Sequence, residues 1–214
     1  MVVRPGLIVR GDAAATAANV AASEPLFRLA IAADLLAAAA YLCVAAILRE
    51  LLRPVSAGVS LLAAFFCFTG CTIAASSAFG HGAALLFYGG GASTAFGAEP
   101  LQALALVALR LAGLGTTVAM LFFGLYLMLL GYLILKCGFL PRALGVLLLV
   151  AGPCFAANSL ALLLVPPLAG QLTWILAPGF LAEGGLALWL LLIGLDEGIW
   201  LDRADRLCNR RSCR

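Results

Sequence analysis

Five stretches of this chain are each long and oily enough to cross a bilayer as a helix, and few other folds accommodate five such stretches in 214 residues. A spanning helix needs about 20 apolar residues to cross roughly 30 Å of hydrocarbon. The stretches run from about Leu29 to Leu48 (A), Val59 to Phe79 (B), Leu101 to Leu135 (C), Ala143 to Val165 (D) and Leu172 to Leu195 (E). An ordinary soluble chain keeps roughly a quarter of its residues charged. Here 11% are charged and 64% hydrophobic, with a mean hydropathy of +1.13, too little polar material to cover a surface in water. The expected fold is all-α: an integral membrane helical bundle with about five transmembrane helices, its main partner the lipid bilayer.

The connections assign an orientation. Arg49 and Arg53 lie in the A–B turn, Lys136 and Arg142 in the C–D turn, and Arg203, Arg206, Arg210, Arg211 and Arg214 in the tail. The B–C connection (Gly80 to Pro100) and the D–E turn (Pro166 to Gln171) carry no Lys or Arg. Cationic loops stay in the cytoplasm, so the pattern predicts a plasma-membrane protein with its N-terminus outside and its C-terminus inside. Arg4, Arg10, Arg28 and Arg110 fall outside the pattern. Three parts follow: residues 1–25 as an extracytoplasmic segment, 26–196 as the membrane domain and 197–214 as a basic cytoplasmic tail. Beside a membrane helix such a tail fixes orientation, and no nucleic-acid partner is implied. Arginine outnumbers lysine twelve to one, which points to a GC-rich bacterial genome.

The first 24 residues lack the unbroken apolar core of a signal peptide; Asp12 is placed to cap a short alanine-rich helix ending before Pro25. Gly89-Gly90-Gly91-Ala92-Ser93-Thr94 reads as irregular chain, with Leu85-Leu86-Phe87-Tyr88 and Phe96 resting on the membrane interface.

Polar residues within the spans carry the most information, because a charge in hydrocarbon needs a partner or a water-filled cavity. Asp34 in A, Arg110 in C, Asn158 in D and Glu183 in E form the candidate polar cluster, all in the outer half under the predicted topology. Arg110 is expected to face Asp34 or Glu183. Such a cluster is either a structural ion pair or an outward-opening pocket for a small ligand, ion or proton; the sequence leaves both open. Pro153 and Pro178 each precede a polar residue by five positions and are expected to kink their helices. On helix C, Gly113, Thr117, Gly124 and Gly131 share a narrow sector, the kind of small-residue face that packs against another helix.

Little supports catalysis or metal binding. The one histidine, His81, is read as a solvated residue just past helix B, without an orienting partner for Ser or Cys. No zinc or P-loop signature can be assembled, and no cofactor is expected. Five of the seven cysteines (Cys43, Cys67, Cys71, Cys137, Cys154) lie in or beside apolar runs and act as small hydrophobes; Cys208 and Cys213 sit in the tail.

Several runs resemble one bacterial family of multi-pass membrane proteins. They are Leu26-Phe27-Arg28 with Asp34-Leu35, Leu52-Arg53-Pro54-Val55, Leu61 to Phe66, Phe122-Phe123-Gly124-Leu125 and Gly131-Tyr132-Leu133. Gly138-Phe139-Leu140-Pro141-Arg142-Ala143-Leu144-Gly145-Val146 is the most specific, and Glu183 with Leu188-Trp189-Leu190-Leu191 completes the set. The family is catalogued as domain of unknown function 4386. The resemblance implies an architecture and no activity: six helices, the first of them ahead of the segment matching Asp12 and expected to be missing here. It brings Arg28, Asp34 and Glu183 forward without assigning them roles. The functional expectation is a non-enzymatic structural or interaction component, with homo-oligomerisation left open. The alternative is a small-molecule or ion carrier using the outer-half polar residues. An intramembrane enzyme ranks behind both.

Overall fold

A computed structural model describes residues 12–88, 97–165 and 173–212, and over these the protein is helical without a strand. Seven α-helices occur among the described residues: α1 (Ala13–Ala22), α2 (Glu24–Leu52), α3 (Ala57–Tyr88), α4 (Ala98–Cys137), α5 (Arg142–Leu164), α6 (Ala177–Leu192) and α7 (Glu197–Ser212). A 3₁₀ turn, Thr173–Leu176, leads into α6. Five helices, including all of α2 to α5 and the 3₁₀–α6 segment, are long and apolar enough to cross a membrane, as expected. The segments 1–11, 89–96, 166–172 and 213–214 lie outside the described residues. With them go Arg4, Arg10, the glycine run at Gly89–Gly91, Phe96 and the D–E turn.

Contacts divide the chain into two units. The first comprises Met1–Tyr41 and Cys71–Thr116. Asp12 caps α1 as the sequence anticipates, its carboxylate accepting from the Ala15 N–H at 2.8 Å, and Thr16 Oγ1 donates to the Asp12 carbonyl at 2.7 Å. The Ser23 N–H closes the helix on the carbonyls of Asn19 and Val20, after which α2 starts at once. Pro25 falls in the first turn of α2, where its missing N–H costs no hydrogen bond. Val20 and Thr16 are fully buried; Val20 joins Phe27 of α2, Ala84 and Leu85 of α3, and Ala105 and Leu109 of α4 in one core.

Here the expected end of helix B needs correction. Instead of stopping near Phe79, α3 continues to Tyr88. Glycine is a poor helix former, yet at Gly80 its missing side chain lets α3 approach α4: a Cβ there would lie 2.7 Å from the Ala108 carbonyl oxygen. That packing, with burial of Ala84 and Leu85, outweighs propensity. His81 is therefore not a solvated residue beyond the helix. It is 6% exposed, its ring set edge-on to Phe27 at 6.0 Å between centroids. Leu85, read as part of an interfacial flank, is core; Phe87 and Tyr88 pack against it, and only Leu86 faces outward.

The second unit comprises Leu42–Gly70 and Thr117–Arg214. Its centre is the antiparallel pair α4–α5, which meets at three rungs seven residues apart. Gly131 lies against Gly145, Gly124 against Gly152, and the Thr117 carbonyl accepts from Ser159 Oγ at 2.7 Å. A Cβ on Gly131 or Gly124 would come within 2.7 Å of the opposing carbonyl oxygen, so only hydrogen fits. Gly138, at φ 75°, occupies the left-handed region that ends α4 and lets the chain reverse into α5.

Helix α6 packs on α5 through buried Ala182 and Leu186, with the Phe155 ring lying over Gly179. Pro178 does not kink this helix. The preceding 3₁₀ turn places it in the first turn of α6, where no intrahelical donor is lost, while Pro153 lies inside α5. Gly194, at φ 80°, closes α6, and its N–H and that of Ile193 reach the Trp189 carbonyl.

The rungs give a prediction with opposed signs. Gly124→Ala sets a methyl against two backbone atoms, the Gly152 oxygen at 2.7 Å and the Ala156 nitrogen at 2.9 Å. It should cost about 1–3 kcal/mol. Gly113→Ala meets nothing within 4 Å and should gain about 0.5–1 kcal/mol of helix propensity. Thermal unfolding of the full-length protein in mild detergent reads both, and equal effects would show that the close approach is not what stabilises the pair.

Candidate functional site

The four polar residues of the spans are divided between the two units, Asp34 and Arg110 in the first, Asn158 and Glu183 in the second. Asp34 is half-buried on α2, and Arg110 is exposed on α4. Asn158 is buried, its amide 3.9 Å from the Met120 sulfur of α4. Glu183 is half-buried beside Ala182, on the side of α6 near α5.

Helix rise places these groups at different depths. At 1.5 Å per residue, Arg110 lies about 40 Å along α4 from Cys137, or about 38 Å at a 20° tilt, which exceeds the roughly 30 Å of a hydrocarbon core. α4 is therefore longer than a single crossing needs. Asp34 lies about 27 Å from Leu52, and Asn158 about 24 Å from Arg142, both near the far boundary by the same rise. Glu183, about 14 Å from Leu192, is the one of the four near the middle.

The small residues of α4 also sort themselves. Gly113 is exposed, with open space where a side chain would project. Thr117, Gly124 and Gly131 face α5, and Gly115 lies against Ser77 of α3 instead. The partners on α5 — Gly145, Gly152 and Ser159 — are not picked out by the sequence reading, although they repeat the same seven-residue spacing.

A second cluster, also not anticipated, gathers at the end where α4 turns into α5. The tail is a helix, α7, capped by Asp196, whose Oδ1 accepts from the Ile199 N–H at 3.2 Å. Trp200 Nε1 donates to the Leu51 carbonyl at 2.9 Å, tying α7 to the last turn of α2. Arg203 and Ile199 lie beside Gly138. The last carbonyls of a helix have no partner within it, and the indole N–H supplies one. Glu50 binds both neighbours, Arg49 Nη1 and Arg53 Nη1, leaving this turn with a net positive charge. The two arginine-bearing turns and the start of the tail thus meet at one end of the second unit, the arrangement that an even number of crossings between them requires.

The described residues hold no group of three or more His, Cys, Asp or Glu placed to bind a metal. Cys43, Cys67, Cys71, Cys137 and Cys154 form no disulfide among the described residues.

Comparison with known proteins gives one match. Residues 1–194 fit the family model described as "Domain of unknown function (DUF4386)". No curated protein and no solved structure matches.

Trp200→Phe keeps the ring but removes the donor to Leu51. It should cost about 1 kcal/mol and speed tryptic cleavage within α7, while α2 to α6 stay protected. Unchanged cleavage would mean that the indole bond does not hold the tail.

Proposed function

The chain belongs to the DUF4386 family, whose description names no activity, and from its geometry we propose that it is a non-enzymatic structural or interaction component of the plasma membrane. It threads the bilayer five times, with its N-terminal segment outside and its basic tail in the cytoplasm. The observation that carries this reading is where the buried polar groups of α5 go. Ser159 is bonded to the Thr117 carbonyl and Asn158 rests on Met120, so both are used to join α5 to α4 and not to line a water-filled path. A carrier needs polar groups turned toward such a path. The orientation is supported by the convergence of Arg49, Arg53, Arg203 and the Gly138 turn at one end, since cationic connections stay in the cytoplasm.

One observation favours the carrier alternative: Glu183 is a half-buried carboxylate near the middle of its span. A charge at that depth costs roughly 2.5–3.5 kcal/mol on insertion scales. Glu183→Gln and Asp34→Asn discriminate. As structural groups they should change the unfolding temperature by a few degrees, about 1 kcal/mol or less, without altering any cation- or proton-dependent flux in proteoliposomes. Loss of such a flux in Glu183→Gln would move the assignment to the carrier. For orientation, alkaline phosphatase fused after Arg214 should be inactive and a cytoplasm-dependent fluorescent reporter there should be bright; the reverse pair would invert the topology.

A further inference from the structure

Helix α7 begins by running across the ends of other helices of the second unit. The Asp196 N–H, just ahead of α7, reaches the Phe139 carbonyl at 3.5 Å. Ile199 and Arg203 lie 4.0 and 3.7 Å from where a Cβ on Gly138 would stand. Trp200 Nε1 donates to the Leu51 carbonyl. Residues spread over two turns of α7 thus touch the ends of two helices, α2 and α4. Headgroups begin where spanning helices leave the hydrocarbon, so α7 starts at headgroup depth. Nine of its residues, about 13 Å by helix rise, follow Arg203.

Helical spacing sorts the charges of α7 onto different sides. At 100° per residue, Ile199, Trp200, Arg203, Leu207 and Arg210 fall in one sector about 100° wide, and Arg211 borders it. The first three are the residues that touch α2 and α4, so this is the sector turned toward the bundle. Asp202, Asp205, Asn209 and Ser212 fall within about 80° on the other side. Both aspartates are exposed, as is Leu201 beside them. Arg206 stands between the two sectors, where Asp202, one turn earlier, offers it a partner. The inward sector therefore carries cations and apolar residues without an anion.

We propose that α7 lies in the plane of the membrane surface, anchored by the Trp200 bond to Leu51, and binds the headgroups of anionic phospholipids through Arg203, Arg210 and Arg211. Cations and apolar residues on one side, with acidic and polar residues on the other, is the pattern of helices that rest on a bilayer. Guanidinium groups offer planar, paired donors to phosphate oxygens. Three of them in one sector select an anionic lipid over a zwitterionic one, whose own cation would be brought against them. Asp202 and Asp205, on the far side, meet water and are not driven against the headgroups. The inference rests on the membrane-spanning reading proposed above.

The test uses the full-length protein in nanodiscs of phosphatidylcholine, with or without phosphatidylglycerol, and reads amide hydrogen exchange along α7. Beyond Arg203, exchange should be about fivefold slower with phosphatidylglycerol at low salt, and the difference should vanish in about 1 M salt. Arg210→Gln combined with Arg211→Gln should remove the difference, whereas Arg142→Gln, an exposed cation on the turn before α5, should leave it. Exchange in α2 to α6 reports whether each variant is folded; if the double variant is not, the salt dependence of the unaltered protein decides in its place. Equal exchange in the two lipids, with α2 to α6 still protected, overturns the proposal alone. So does a difference that survives the double variant or high salt, or one lost as fully in Arg142→Gln, which would assign the attraction to the whole end and not to α7. The same slowing by inorganic phosphate in phosphatidylcholine discs would mark a site for free anions and overturn it too. Recovery of the protein in the aqueous fraction without detergent would instead sink the membrane reading itself.

Discussion

Contact between the backbones of α4 and α5 is the constraint from which the second unit is built. Lipid tails are as apolar as leucine, so burying one oily helix against another expels no water and gains little from the hydrophobic effect. What remains is dispersion and weak polar contact, and both fall off steeply with distance. Glycines at Gly124, Gly131, Gly145 and Gly152 bring the main chains close enough for Cα hydrogens to meet opposing carbonyls. The rungs fall every seven residues because that spacing returns nearly to the same side of a helix after two turns. Once α5 is fixed in register by these glycines and by Ser159, Phe155 stands on the flank of the same face, its Cβ beside Gly124 and its ring over Gly179, and so forms the seat for α6. The Gly138 turn holds α4 and α5 antiparallel at one end and places Ile199 and Arg203 of α7 beside it.

The number of helices and the class of fold are legible in the sequence because hydropathy integrates over about 20 residues and tolerates local errors. Ends are harder, since they depend on what each terminal turn meets. Nothing in Gly80-His81-Gly82 announces a helix; α4 alone makes one favourable there, by offering Ala108 and Ala112 to the bare face of Gly80. Pro178 shows the converse. Read in isolation it interrupts a helix, but a 3₁₀ turn ahead of it makes it a helix start. Asp12 succeeded as a predictor because a cap is a local interaction, complete within four residues.

The candidate polar residues were legible as positions and not as a group. Charge within a span is visible from the sequence alone, whereas the company it keeps is tertiary. Arg110 illustrates the difference. It lies in an apolar run, so it reads as a membrane charge in need of a partner; α4 nevertheless runs 40 residues, about twice what one crossing needs. Small residues posed the same problem. Gly113 shares a helical sector with Gly124 and Gly131, yet only the latter two have a glycine of α5 opposite, and a wheel drawn for one helix cannot contain the second.

Depth along each helix then separates the polar groups by the work they can do. Asp34 lies about 27 Å along α2 from Leu52 by helix rise. Asn158, slightly deeper, is uncharged and already rests on Met120. Of the four polar residues, Glu183 is the titratable one nearest the middle of its helix. At the other end of α2, Glu50 binds Arg49, and Trp200 meets a terminal carbonyl that the helix itself cannot satisfy. Cations and an indole are thus gathered at one end of the second unit, held there by Glu50 and by the Leu51 carbonyl.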